Sequence, residues 1–440
     1  MSIFLDREHF IPIRYPELID FLCLGKGAKV AFSGMAIESA RSFREFALAL
    51  RHYFHFHNLQ RFQQLKEDYA PFDPDADTIA LTKLDSVQEN EALAHFFDEM
   101  GALLKDANYL HLSREEMTKI MQGHSLWGLE MQVHWDIFQR LEMYYRGDVK
   151  GKRSYKVWYR FWTLFKPEIR EVAEFNRLVV LLKQQPSRHT QNDADLKSVF
   201  MKMFKDIPKC DLEMVLPGTR VRLNKLDKGM IFYPLVTGFG IFFYNVLAHI
   251  FSFRPLFAFA GGIALSWGLA TALAGYAYRA YYTYSVKKTT YSLRLTQSLY
   301  YQNLDSNAGV MHRLLDEAEE QECREVLLPY YYLWHEPNEQ GWSSQELDDR
   351  IEKDFEKYLD VKIDFEIEDA LAKLNRIGLI RNQNGKLFAI SIEDAIKKLS
   401  THKLARSQSV GTPDSAKSIV EQSSHKPPNQ ENNMFQIEFR

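Results

Sequence analysis

The 440-residue chain is 46% hydrophobic and 26% charged, and its 55 Lys and Arg nearly balance 58 Asp and Glu, for a formal net charge of -3. Without a global basic excess the composition carries no electrostatic footprint for nucleic acid, while 14% aromatics give the chain material for substantial cores. Cys23, Cys210 and Cys323 are far apart and form no CxxC pair, which excludes a disulfide framework and a cysteine-rich zinc site and fits a reducing compartment.

The N-terminal stretch MSIFLDREHFIPIRYPELIDFLC carries Asp6, Glu8, Glu17 and Asp20, so it reads neither as a secretory signal nor as an acid-poor transit peptide. From Pro16 to about Gln122 the pattern is mainly helical. Phe43, Phe46, Leu50 and Phe54 recur at helical spacing within Ser42 to Leu65. YAPFDPDADT, Tyr69 to Thr78, breaks that helix with two prolines and an aspartate-rich turn. Glu91 to Lys105 is a second amphipathic helix, and Ser113-Arg114-Glu115-Glu116 has the form of a capping box. Near Trp127 the period changes: Leu129, Met131, Val133 and Trp135 alternate with polar residues, and Tyr155 to Phe161 and Val172 to Leu182 are of β type. Gln184 to Asp195 is a polar loop, and Phe204 to Gly218 reads as a strand with turns.

Two runs then stand out. Met230 to Ser252 and Leu256 to Tyr278 hold no Asp, Glu, Lys or Arg, and each is long enough as a helix to cross a hydrocarbon core. Arg220, Arg222, Lys225 and Lys228 precede the pair, and Arg279, Lys287, Lys288 and Arg294 follow it. Both flanks are therefore expected on the cytoplasmic side of a two-pass span. Ala260, Ala264, Gly268 and Ala272 form a small-residue stripe that predicts close packing against another helix, either the first run or a second copy in a homo-oligomer. Asn245 and His249 are the polar residues within the runs.

After a connector helix, a long helix is expected over Val310 to Trp334, with the acidic run DEAEEQE as a solvated face. Helices over Ser343 to Leu359 and Phe365 to Gly378 follow, then a hairpin turning at Asn384-Gly385. That order resembles a winged helix. Its third helix opens with Asp364, Glu366, Glu368 and Asp369, which outweigh Lys373 and Arg376, so electrostatics oppose DNA and favour a protein partner for this part. Past Ser400 the composition turns polar and reads as disordered.

YAPFDPDADT, YYRGD at Tyr144 to Asp148, FKDIPKCDLEMVLP at Phe204 to Pro217, LYYQNLDSNAGVMHRLLDEAEEQECREVLL at Leu299 to Leu328 and DFEIEDALAKLNRIGLI at Asp364 to Ile380 together resemble the transmembrane protein 143-like family. The resemblance implies a membrane protein with soluble flanks and no established activity, so it assigns no catalytic residue.

Candidate chemistry is sparse. His52, His55 and His57 are the metal candidates, although on one continuous helix only His52 and His55 are neighbours. Asp73, Asp75 and Asp77 imitate the first ligands of a calcium loop, but Thr78 and Leu84 stand where it needs glycine and glutamate. Gly25-Lys26-Gly27-Ala28-Lys29 lacks the spacing of a phosphate loop. With no HExxH, GxSxG or dinucleotide fingerprint, no catalytic residue and no cofactor is assigned.

The sequence thus predicts an α+β membrane protein. Its parts are a helical N-terminal domain (1–126), a small β-containing domain (127–228), a two-helix transmembrane hairpin (229–280), a connector (281–306), a winged-helix-like domain (307–400) and a polar tail (401–440). The expected role is a non-enzymatic scaffold anchored in the lipid bilayer, in a bacterial inner membrane with both termini cytoplasmic, or in a mitochondrial membrane if the source is eukaryotic. A channel or transporter subunit and a membrane-proximal metal-dependent enzyme are the alternatives.

Overall fold

A computed structural model describes residues 3–4, 9–30, 32, 34–78, 81, 84–121, 130–155, 168–190, 195–222 and 301–409, with scattered helical residues between 233 and 300. Helices α1 (Tyr15–Leu24), α2 (Ile37–Tyr69), α3 (Ser86–Asp106) and α4 (Arg114–Met121) come first. Asp85 and Gln88 close a capping box on α3, and Ser113 with Glu116 does the same before α4. The second box is the one its sequence predicts.

An antiparallel sheet follows, built on the long hairpin of β4 (Phe138–Tyr155) and β5 (Glu168–Gln184). The strand order is β1-β4-β5-β6-β8, with β1 (Ile3–Phe4) on one edge, then β6 (Val199–Pro208) and β8 (Asn303–Ser306); β2 (Leu110–Leu112) also pairs with β4. Two short strands, β3 (Glu130–Gln132) and β7 (Arg220–Arg222), pair separately. The apolar run Leu178 to Leu182 serves both faces of the sheet. Val179 and Leu181 join Met201 and Met203 against α3, whereas Leu178, Val180 and Leu182 join Phe204 and Ile207 on the opposite face. A strand covered on both sides loses polar alternation, which is why this run reads as continuously apolar.

The central helix is α5 (Ala308–His335). Its first half, through Val310, Met311 and Leu314, packs on the sheet and α3. Its second half joins another core with α1, α2, α6 (Ser344–Asp354), α7 (Ile367–Ile377), the hairpin of β9 (Ile380–Gln383) and β10 (Lys386–Ala389), and α8 (Ile392–Ser409). Asn384 and Gly385 both have positive φ, 55° and 80°, as the hairpin turn requires. Helix α8 continues to Ser409, beyond the point where the composition turns polar.

Three tyrosines in a row on α5 reach three neighbours. Tyr330 stacks on Phe46 of α2 at 4.1 Å and donates to the Ile390 carbonyl; Tyr331 meets Phe43; Tyr332 donates to Asp354 at the end of α6. The acidic run is a solvated face only in part: Asp316 is exposed and Glu317, Glu319 and Glu320 are half-buried, but Gln321 and Glu322 are buried, as are Arg324 and Glu325 just beyond the run. Lys373 of α7 lies 2.9 Å from Glu325 and 3.8 Å from Glu322, Arg146 of β4 pairs with Glu317, and Arg324 bonds Glu320. Arg324 is on the same helix, but Lys373 and Arg146 come from distant segments, so the run alone cannot reveal the burial.

The membrane expectation is corrected. Among the described residues no helix is long and apolar enough to cross a membrane. The transmembrane hairpin, the membrane-protein class and the two-pass inner-membrane or mitochondrial-membrane placement are therefore withdrawn, leaving an α+β fold. The longest described helices, α2 with 33 residues and α5 with 28, carry charged side chains along much of their length. An uncharged run shows only that no ionised group needs desolvating, whereas a span needs about 20 predominantly apolar residues in one helix. Asn245, His249, Ala260 and Ala264 lie outside the described residues; Gly268 and Ala272 are helical and exposed.

Candidate functional site

The face of the sheet away from α3 opens into a cleft of about 900 Å³. Its floor follows from strand alternation: Phe200, Lys202 and Phe204 of β6 point into it, while Val199, Met201 and Met203 between them serve the opposite core. Across the ladder, Lys202 is paired with Val180 and Phe200 with Leu182, which line the same cleft. Met214 to Pro217 form one wall. Thr296, Leu299, Tyr300 and Tyr301 form another, with Asn303 at the start of β8. Lys202 is the only charged side chain among the described lining residues.

The first wall is braced. The 3-10 turn Lys209–Val215 follows β6 directly, and the Thr219 hydroxyl donates to the carbonyls of Glu213 and Leu216 at 2.9 Å each. Gly218 has φ 73°, and a Cβ there would come within 2.6 Å of Ile137 Cδ1. A side chain at that position would be strained in its backbone and would also press on the core behind the wall.

Glu213, beside this wall, is buried, and burial followed by the nearby Asp211 pushes its carboxyl up to about 7. The folded chain therefore holds this proton more tightly than the unfolded chain does. The contribution to stability is complete below the ordinary value of 4.5 and is lost as the pH rises through about 7. Glu213→Gln is expected to raise stability by about 2 kcal/mol at pH 8 and to leave it nearly unchanged at pH 4. Paired urea titrations at the two pH values measure the difference, and an equal gain at both would contradict the assignment.

The residues singled out from sequence fall elsewhere. His52, His55 and His57 ride on α2, which runs through to Tyr69. His55 binds Glu319 of α5 at 3.0 Å, and His57 stacks on Tyr53. Asp73 accepts from the Asp75 amide in a turn, and Asp75 accepts from Asn307, whose backbone amide and side-chain oxygen bond Met201 of β6. The aspartate-rich turn is thus tied to the entry of α5. Gly25 ends α1 in the left-handed conformation, and Lys29 pairs with Asp360. Lys373 is turned inward to Glu325 and Asp369.

Another group converges. His134, Asp136 and His189 place ligand atoms within 4.8 Å of one another. No linear spacing announces it, because His189 is 53 residues from Asp136. Lys202 was equally hidden, although Phe200-Lys202-Phe204 has the two-residue period of one strand face.

Fold and site define an α+β protein with an antiparallel sheet, α3 and the first half of α5 on one face, and α4 together with an apolar cleft on the other. A family model described as "Protein of unknown function (DUF3754)" matches residues 175–309, which include every described residue lining the cleft. The match overlaps two of the segments quoted above, 204–217 and the start of 299–328. No solved structure matches the chain.

Proposed function

We propose that this chain is a binding protein for an anionic amphiphile, an unbranched apolar chain ending in a carboxylate, held in the cleft on the sheet. The observation that carries the reading is the placement of Lys202, one cation between Phe200 and Phe204 on a floor otherwise formed by apolar cross-strand pairs. The volume lies within the usual range for small-molecule sites, roughly 300–1,000 Å³. A few polar groups in an apolar lining fix orientation, and a cation without a carboxylate among the described lining residues selects a negative head. Tyr300 and Tyr301, at 76% and 74% exposure, flank the opening with rings 5.4 Å apart.

The test is displacement of a fluorescent fatty acid from the full chain by hexadecanoate and by hexadecanol. The carboxylate should compete about tenfold better than the alcohol, equivalent to about 1.4 kcal/mol for the contact with Lys202, and Lys202→Met should remove that preference while leaving the alcohol unchanged. Absence of saturable binding, or a preference that survives Lys202→Met, would defeat the proposal.

A further inference from the structure

We propose that His134, Asp136 and His189 form a site for a divalent transition-metal ion, zinc being the best match to two imidazoles and one carboxylate. His134 leaves β3, Asp136 lies in the 3-10 turn Trp135–Ile137, and His189 sits in the turn after β5. The two imidazoles stack with centroids 3.9 Å apart and planes 12° apart, so their lone pairs lie in near-parallel planes and one ring must turn about its χ2 bond for both to meet one ion. Asp136 Oδ2 lies 3.0 Å from His189 Nδ1 and also accepts from the Ser187 hydroxyl. An ion entering between ring and carboxylate is bound by His189 Nδ1 in the neutral tautomer that carries its single proton on Nε2, so the hydrogen bond from Nδ1 to Asp136 is replaced by two bonds to the ion. Ser187 remains as the outer partner that orients the carboxylate.

The supporting loops are fastened to each other before any ion arrives. The Gln185 amide donates to the Ile137 carbonyl at 2.8 Å, its side chain donates to the Asp136 carbonyl at 3.0 Å, and Thr190 Oγ1 donates to the Gln185 carbonyl at 2.9 Å. Hydrogen bonds from the Ser187 hydroxyl and from the His189 ring hold the Asp136 carboxylate in one orientation. Both histidines are half-buried and Asp136 is exposed, which leaves a path for entry from solvent. Two imidazoles among three donors disfavour magnesium and calcium, which take oxygen ligands. Three protein donors also leave a fourth position of a tetrahedral ion open. The inference does not rest on the amphiphile reading.

The experiment uses the full chain, stripped with a chelator and titrated with Co2+ as an optical probe, followed by competition with Zn2+. One equivalent should give the visible absorption of a four-coordinate ion and should be displaced by Zn2+. His134→Ala and His189→Ala should each weaken binding about 100-fold, the upper end of what losing even an outer partner costs. Asp136→Asn, which keeps shape and hydrogen-bonding capacity, should weaken it as well, with thermal melts confirming that each variant is folded. The double variant His52→Ala/His55→Ala should bind as the parent does. Absence of a saturable Co2+ signal overturns the proposal, and so does a signal lost in the His52/His55 variant but kept in His189→Ala.

Discussion

Lys373→Ala should cost the fold about 3–5 kcal/mol, the range found when one member of a buried ion pair is removed. Lys373 is only 7% exposed, and its ammonium lies 2.9 Å from Glu325 and 2.8 Å from Asp369. Glu322 and Glu325 are themselves buried on α5, at 6% and 3%. Amide donors contribute: Asn58 reaches Glu322 at 3.2 Å, while Gln321 and Asn108 reach Glu325 at 2.9 and 3.1 Å. None of these carries charge, so removing the lysine leaves two buried carboxylates facing each other. Burial already pushes the Glu322 carboxyl up, and the Lys373 charge opposes that rise. Without Lys373 the carboxyl rises further, so the deficit should grow as the pH is raised and shrink in acid. Urea denaturation at pH 5.5 and pH 8 measures both effects. A cost below about 1 kcal/mol, or one that is the same at both pH values, would mean that the cluster is hydrated and works as a surface network.

This cluster also shows where the sequence stops being informative. The helix over Val310 to Trp334 is legible from periodicity, and the structure gives Ala308–His335. What cannot be read is which way its charges face, because Lys373, Asn58 and Arg146 come from three other elements. Strand β4 was hidden for a related reason. Phe138–Tyr155 contains five lysines and arginines, yet Arg146 is buried, with its guanidinium 3.9 Å over the Phe10 ring and 4.6 Å over that of Tyr109. A cation that packs like an aromatic looks in sequence like a solvent-facing residue. For the uncharged runs at 230–252 and 256–278, absence of charge alone does not specify a lipid environment, and most of their residues lie outside the described ones. Local devices fared better, since the Ser113–Glu116 capping box and the Asn384-Gly385 turn depend on neighbours in the chain. The cleft and the His134-Asp136-His189 group both depend on strand pairing, and no window of sequence contains them.

Phe46→Ala should cost a further 3–5 kcal/mol or so, the usual range for emptying a phenylalanine site in a core. Phe46 is fully buried on α2, and its ring stacks on Tyr330 of α5 at 4.1 Å and 25°. Tyr330 passes the contact on by donating to the Ile390 carbonyl just after β10, and α8 packs against α2 in the same core. Residues near positions 46, 330 and 390 therefore depend on one another although the chain separates them widely. Helix α2 has few ways to bury Phe43, Phe46 and Leu50 without α5, and the β9-β10 hairpin is too short to be stable alone. The cavity left by Phe46→Ala should lower hydrogen-exchange protection in β9 and β10 by the same free energy as in α2, because the two open together. If only the α2 amides lose protection, the first and last parts of the chain are separate cooperative units that merely touch. Equal losses would establish α5 as the element through which both ends of the chain acquire their stability.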